Sequence, residues 1–233
     1  MKFTWIGGPS FRLELGPFLV VGDPVFADRF DLDGAPVMRV TPRADIDVSG
    51  ADVVLVTSAR ADHFDAAAIA RCGAARVVGS TGVSGARVLA HGESVGIEKA
   101  GAALAITSVP AGGDGNGYFL KLEHGERPFT AYITGDTLFS EHTHELQRTH
   151  GYSNLLVIHV GAERAANALR SADGKEAMQI VYRMQPNAIA AVHHTTFSHY
   201  TEPIDPFLEK IGLTIYEKRL RVLHAGESFE KIV

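Results

Sequence analysis

Four short runs of apolar and β-branched residues restrict what this chain can fold into: residues 52–57 (DVVLVT), 130–134 (TAYIT), 155–160 (LLVIHV) and 188–192 (AIAAV). They carry almost no polar alternation, so a strand made from any of them must be covered on both faces. Such strands need helices or a second sheet packed against them, which points to a layered α/β architecture. Each run also stops at an acidic, histidine-bearing or glycine-rich segment, where the chain has to turn out of its sheet.

The rest of the pattern fills in the layers. Residues 3–6, 10–15 and 18–21 are alternating or apolar runs separated by Gly-Pro and Gly-Gly punctuation, and read as an antiparallel meander. Residues 28–49 are polar, rich in Asp and Pro, and without periodicity. Helices are expected at 65–72, at 83–90 and at 175–184, the last with apolar spacing near i, i+3, i+4. Strands are expected at 76–79, 104–109 and 118–122. Strands early and again in the middle, with helices in each half, predict two sheets face to face with helices outside. No linker or repeat divides residues 1–233, so one domain is expected.

Composition narrows the partners. The net charge is −5 with scattered basic residues, which argues against nucleic acid and for a small-molecule substrate. The lone Cys72 cannot form an internal disulfide. No run reaches the roughly 18 to 20 apolar residues of a membrane span, and the first residues lack a signal-peptide core. A cytoplasmic protein is the expectation, and a homo-oligomer paired through the opening strands is left open.

The segments that follow the buried strands carry metal-ligand residue types. Thr57-Ser58-Ala59-Arg60-Ala61-Asp62-His63, Gly135-Asp136-Thr137 and His193-His194-Thr195-Thr196-Phe197 each follow such a run. Two carboxylates and two imidazoles can close most of a shell around zinc, manganese or iron. Taken singly, such residues are more often caps or hydrogen-bonded side chains. His159, inside an apolar run, reads as a satisfied core residue, and His142, His144 and His150 as solvated side chains of an exposed helix.

In order and spacing these segments resemble the metallo-β-lactamase superfamily, and within it the branch of small cytoplasmic hydrolases that includes the ascorbate-6-phosphate lactonase. That resemblance implies a four-layer αββα sandwich and a two-metal hydrolase site built from H-x-H-x-D-H, a lone middle His, the Asp of T-G-D-T and a final His. Here Ser58 and Arg60 stand at the H-x-H positions and Gly112 or Gly113 at the middle His, so every ligand of the first site is missing. Asp62, His63, Asp136 and His193 match the complete second site.

The resulting expectation is a metal-dependent hydrolase with one divalent ion, zinc first and manganese or iron as alternatives, acting on a small ester, lactone or phosphate-bearing substrate. Asp62 would orient or deprotonate a water. Arg60 would replace the missing ion as a fixed cation and hold an anionic group or oxyanion. His194, Thr196 and His199 would line the substrate pocket. Two aspartates, one divalent ion and Arg60 leave one positive charge, the same as two aspartates, two divalent ions and a bridging hydroxide. The alternative is a non-catalytic descendant that binds a ligand or partner in the same cleft, with Arg60 filling the site.

Overall fold

The computed structural model describes residues 1–231. Lys2–Gly7 (β1), Ser10–Leu15 (β2) and Phe18–Gly22 (β3) form the expected meander, followed by a hairpin of Arg29–Leu32 (β4) and Ala35–Met38 (β5). Val53–Val56 (β6), Ala66–Cys72 (α1), Val77–Gly79 (β7) and Arg87–Val88 (β8) complete the first half. The second half begins with Ser94–Lys99 (β9), Ala102–Pro110 (β10), Asn116–Glu123 (β11), Phe129–Ile133 (β12), Glu141–His150 (α2) and Leu155–His159 (β13). It continues through the short hairpin Arg164–Ala165 (β14) and Ala168–Leu169 (β15), then Gly174–Met184 (α3), Ala188–Val192 (β16), Asp205–Gly212 (α4), Leu220–Arg221 (β17) and Ser228–Glu230 (β18).

Two seven-stranded sheets result, in the orders β18-β1-β2-β3-β6-β7-β8 and β17-β16-β13-β12-β11-β10-β9. The period of two along each strand sends side chains alternately to opposite faces. Val53 and Leu55 of β6 join Leu155 and Val157 of β13 in the core between the sheets. Val54 and Val56 turn outward with Cys72 of α1. Leu156 and Ile158 pack outward against Met178, Ile180 and Val181 of α3 and Phe207 of α4. The chain is thus a four-layer sandwich, and full burial of each such Val or Leu contributes about 1.5–3 kcal/mol.

Two differences from the sequence reading have local causes. The helix expected over 83–90 is absent: Gly82 and Gly85 take φ +86° and +76°, and Val83 and Ala86 instead lie against Gly79, where a Cβ would sit 2.9 Å from Val83 Cβ. Residues 28–49 contain the β4–β5 hairpin, whose inward residues Leu32 and Val37 pack on Phe197 and Val25.

Sheet polarity places the site. β3, β6 and β7 run parallel in one sheet, and β12, β13 and β16 in the other. The C-terminal ends of these strands share one edge of the sandwich. Ligand sites in open α/β sheets form in the crevice outside such ends.

Candidate metal centre

Five strand ends deliver side chains to one crevice. After β6, the turn at 60–64 is closed by His63 N–H and Phe64 N–H donating to the Arg60 carbonyl at 2.9 and 2.8 Å. Asp65 then caps α1, accepting from Ala68 N, and also accepts from Phe26 N and Ala27 N. After β12, Gly135 takes φ +57° where a Cβ would lie 2.8 Å from the Asn116 carbonyl; only glycine fits a turn that aims Asp136 inward. After β16, His193 is held at φ +62°, with its N–H donating to Gly8 O at 2.7 Å. Such a backbone costs of order 1–3 kcal/mol and persists only where the surroundings enforce it.

The four side chains expected to bind an ion lie together. His63 Nε2 is 3.2 Å from Asp136 Oδ2 and 3.6 Å from Asp62 Oδ2. His193 Nε2 is 3.5 Å from Asp62 Oδ2 and 3.9 Å from Asp136 Oδ1. Ligands at about 2.0–2.2 Å around a tetrahedral zinc are separated by roughly 3.3–3.6 Å. The donors fall into three overlapping groups, each with atoms within 4.8 Å of one another: His63, Asp136 and His193; Asp62, Glu163, His193 and His199; and Asp23, His63 and His159. His63 Nε2, both nitrogens of His193, Asp62 Oδ1 and Asp136 Oδ1 are buried without a hydrogen-bond partner. An unsatisfied buried group costs about 1–3 kcal/mol, more if charged, so several converging here fit a cation between them.

Asp23, at the end of β3, orients this cluster. Its carboxylate accepts from Thr57 N at 2.7 Å and Thr57 Oγ1 at 2.6 Å, and its Oδ2 lies 2.9 Å from His63 Nδ1. A carboxylate on Nδ1 leaves Nε2 facing Asp62 and Asp136, as a ligand ring requires. His159 is a buried neighbour of this group, not a satisfied core residue: its Nε2 is 3.4 Å from Asp23 Oδ2 and lacks a hydrogen bond. Burial lowers the His63 pKa, but Asp136, Asp62 and Asp23 outweigh it and raise it well above the usual value. Burial raises that of Asp136, and the charges of His63 and His193 outweigh it and lower it.

Arg60 has a partner that sequence reading did not foresee. Its Nη1 donates to Glu163 Oε2 at 2.8 Å and its Nη2 to Glu163 Oε1. The guanidinium also lies 3.7 Å from Asp136 and 3.9 Å from Asp62. Burial lowers its pKa, but the Glu163 hydrogen bond and the three carboxylate charges prevail and raise it. Glu163 cancels the charge that Arg60 brings, so the single positive charge counted from sequence disappears. Arg170 and Arg60 both reach Asp33 at the hairpin turn.

A cleft of 530 Å³ opens beside Arg60 and Asp136, bordered by Ser58, Gly112, Gly113 and Arg170. Of the residues expected to line the substrate pocket, His199 reaches the cluster, with Nε2 3.1 Å from Asp62 Oδ2. His194 does not border this cleft; its ring stacks on Trp5 at 4.6 Å, and burial lowers its pKa to about 4. The Thr196 hydroxyl accepts from Gly8 N at 2.8 Å.

A family model described as a beta-lactamase superfamily domain matches residues 2–193. The chain belongs to the metallo-β-lactamase superfamily. It is 26% identical to a UPF0173 metal-dependent hydrolase of Methanopyrus kandleri over 99% of this chain and all of that one. A second UPF0173 metal-dependent hydrolase, from Dinoroseobacter shibae, is 31% identical over 59% of this chain and 64% of its own. Among superfamily structures, isothiocyanate hydrolase from Delia radicum gut bacteria superposes with a TM-score of 0.76 at 18% identity, covering 99% of both chains. A metallo hydrolase from Ignicoccus hospitalis gives 0.70 at 19% identity, also over 99% of both. At these identities the structures establish the fold.

Within the superfamily resemblance, Gly112 and Gly113 differ in what they could accommodate. A Cβ on Gly112 would lie 2.5 Å from the Asp136 carbonyl, whereas one on Gly113 would meet nothing within 4 Å and its cost would be the left-handed backbone at φ +58°, of order 1–3 kcal/mol. Asp23 and Glu163 are the site residues that sequence reasoning did not single out. Asp23 ends a strand with an acid, the signal that identified Asp136; Glu163 lies 103 positions from Arg60 and carries no local signal.

Proposed function

We propose that this chain is a metal-dependent hydrolase using one divalent ion, zinc first, held among Asp62, His63, Asp136 and His193, and acting on a small ester, lactone or phosphate-bearing substrate. The convergence of buried donor atoms without hydrogen-bond partners carries the reading. The relatives named metal-dependent hydrolases support the reaction class. When bound, the ion supplies Lewis acidity toward a carbonyl or phosphoryl oxygen and toward water.

The chain's own groups divide the remaining work. Asp23 fixes the His63 ring. Asp62 keeps Oδ1 free of hydrogen bonds, which suits it to orient a water or take its proton. Arg60, paired with Glu163 through both Nη atoms, adds no net charge at the cleft wall; its Nε, buried without a hydrogen-bond partner, is the donor left to hold an oxyanion there. A cleft of 530 Å³ suits a small molecule. The lone thiol, buried on α1, fits a cytoplasmic protein.

The Arg60–Glu163 pair also favours a second reading, an inert descendant in which a guanidinium fills the site. The two readings separate by stripping the protein with a chelator, reloading it with zinc, manganese or iron, and assaying model esters, lactones, phosphate esters and an isothiocyanate. Turnover that returns with one equivalent of ion, and is lost in Asp136→Ala and His193→Ala, is the expected result. A protein that takes up zinc yet turns over none of the panel supports the inert reading.

A further inference from the structure

The second donor group is not the one that family resemblance assigns. Asp62, Glu163, His193 and His199 present ligand atoms within 4.8 Å of one another, apart from the group of His63, Asp136 and His193. Glu163 is committed to Arg60 through both oxygens. Asp62, His193 and His199 remain, and His193 belongs to both groups.

We propose that His199 is itself an ion ligand through Nε2, supplying on the Asp62 side an imidazole in a chain that lacks three histidines at positions 58, 60 and 112 or 113. This rests on the single-ion reading above. Three observations support it. His199 Nε2 lies 3.1 Å from Asp62 Oδ2, within a few tenths of an ångström of the roughly 3.3–3.6 Å that separates two ligands of one tetrahedral zinc. A hydrogen bond to Asp62 would account for that contact alone, and not for the convergence of both residues on His193, whose two ring nitrogens are buried and unpartnered. The ring is also held in place before any ion arrives. Ser198 exchanges hydrogen bonds with Met38, its N–H to the carbonyl at 2.9 Å and its Oγ accepting from Met38 N at 3.1 Å. The His199 ring lies between Tyr200, at 4.5 Å between centroids, and Phe197, at 6.0 Å, with Phe30 edge-on at 6.3 Å. Those apolar walls leave Nε2 turned toward Asp62. Preorganised ligands of this kind lose little on binding.

The test uses wild-type protein crystallised with zinc, with an anomalous difference map recorded at the zinc edge. The expected peak lies about 2.0–2.1 Å from His199 Nε2 as well as within bonding distance of His193. In parallel, zinc affinity is measured by competition with a chromophoric chelator for wild type, His199→Ala and His199→Gln. Loss of a ligand should weaken zinc by more than the roughly 10- to 100-fold that removal of an outer-shell partner costs. A peak bonded to His63, Asp136 and His193 with His199 Nε2 beyond about 3 Å, outside the range of a zinc–nitrogen bond, overturns the proposal and leaves the single-ion reading standing. So does His199→Ala protein that binds zinc as tightly as wild type and changes only KM, the behaviour of a substrate contact. A map with no peak overturns both.

Discussion

Replacing Asp23 with Asn changes the chemistry of one atom at the base of the site, and the groups around that atom set the consequences. The carboxylate serves Thr57 N through Oδ1, and Thr57 Oγ1 and His63 Nδ1 through Oδ2. An amide oxygen can keep the Thr57 N–H, but the NH2 then stands where Oδ2 was and can only donate. It no longer accepts from the Thr57 hydroxyl, and facing His63 Nδ1 it favours the tautomer with the proton on Nε2, the atom turned toward Asp62 and Asp136. Loss of an outer-shell partner costs roughly 10- to 100-fold in metal affinity, which is about 1.4–2.8 kcal/mol. The lost charge-assisted hydrogen bonds remove about 1.5–3 kcal/mol from the ion-free fold. At roughly 2–4 °C per kcal/mol for a chain of this size, Tm should fall by about 3–12 °C. Chelator competition reads the first quantity and calorimetry of stripped protein the second. Asp23→Asn protein that binds zinc within about twofold of wild type, roughly 0.4 kcal/mol, would refute the assignment of Asp23 as the group that sets the His63 ring.

Other outcomes rest on the same geometry. Arg60→Met should leave the buried Glu163 with only the longer contact to Arg170 at 3.9 Å and destabilise the chain by about 2–3 kcal/mol in urea titrations, below the roughly 3–5 kcal/mol of a fully buried pair because the Arg60 side chain is 22% exposed; the double variant with Glu163→Leu should recover most of it, and additive losses would show the pair is not coupled. Cys72, whose thiol burial pushes up to about 11 from 9, should hold its proton near pH 9, where the unfolded chain is half thiolate. Native protein should then react with iodoacetamide at least about 50-fold more slowly than protein in urea, and equal rates would contradict the buried placement. Restoring the first site with Ser58→His and Arg60→His should raise zinc content toward two ions when the third histidine is placed at Gly113 and not at Gly112, where a Cβ meets the Asp136 carbonyl at 2.5 Å. Equal uptake by both triple variants would overturn that distinction.

The strands that set the fold could be read from composition because a strand buried on both faces has little choice but Val, Ile, Leu and Ala. β6, β13 and β16 fall within or beside the runs that predicted them. The helix expected over 83–90 does not form because Gly82 and Gly85, just before its start and within its first turn, take left-handed conformations that turn the chain. α4 escaped notice although Pro206 near its start, Phe207 and Ile211 mark a helix end and one buried face. At the site, the acids and histidines that follow strands were visible because strand ends converge. Partners such as Glu163 were not, since an ion pair between a strand-end turn and a distant loop leaves no periodic trace. His159 was misjudged for a related reason: an apolar neighbourhood in sequence conceals which residues of the other sheet face the ring.

Elemental analysis of zinc-loaded, exhaustively dialysed protein addresses the single-ion centre with the fewest assumptions. One equivalent per chain is predicted for wild type, and close to none for Asp136→Ala and His193→Ala proteins that remain folded by circular dichroism. Two equivalents in wild type, or one equivalent retained by both variants, would contradict the assignment of the ion to this crevice.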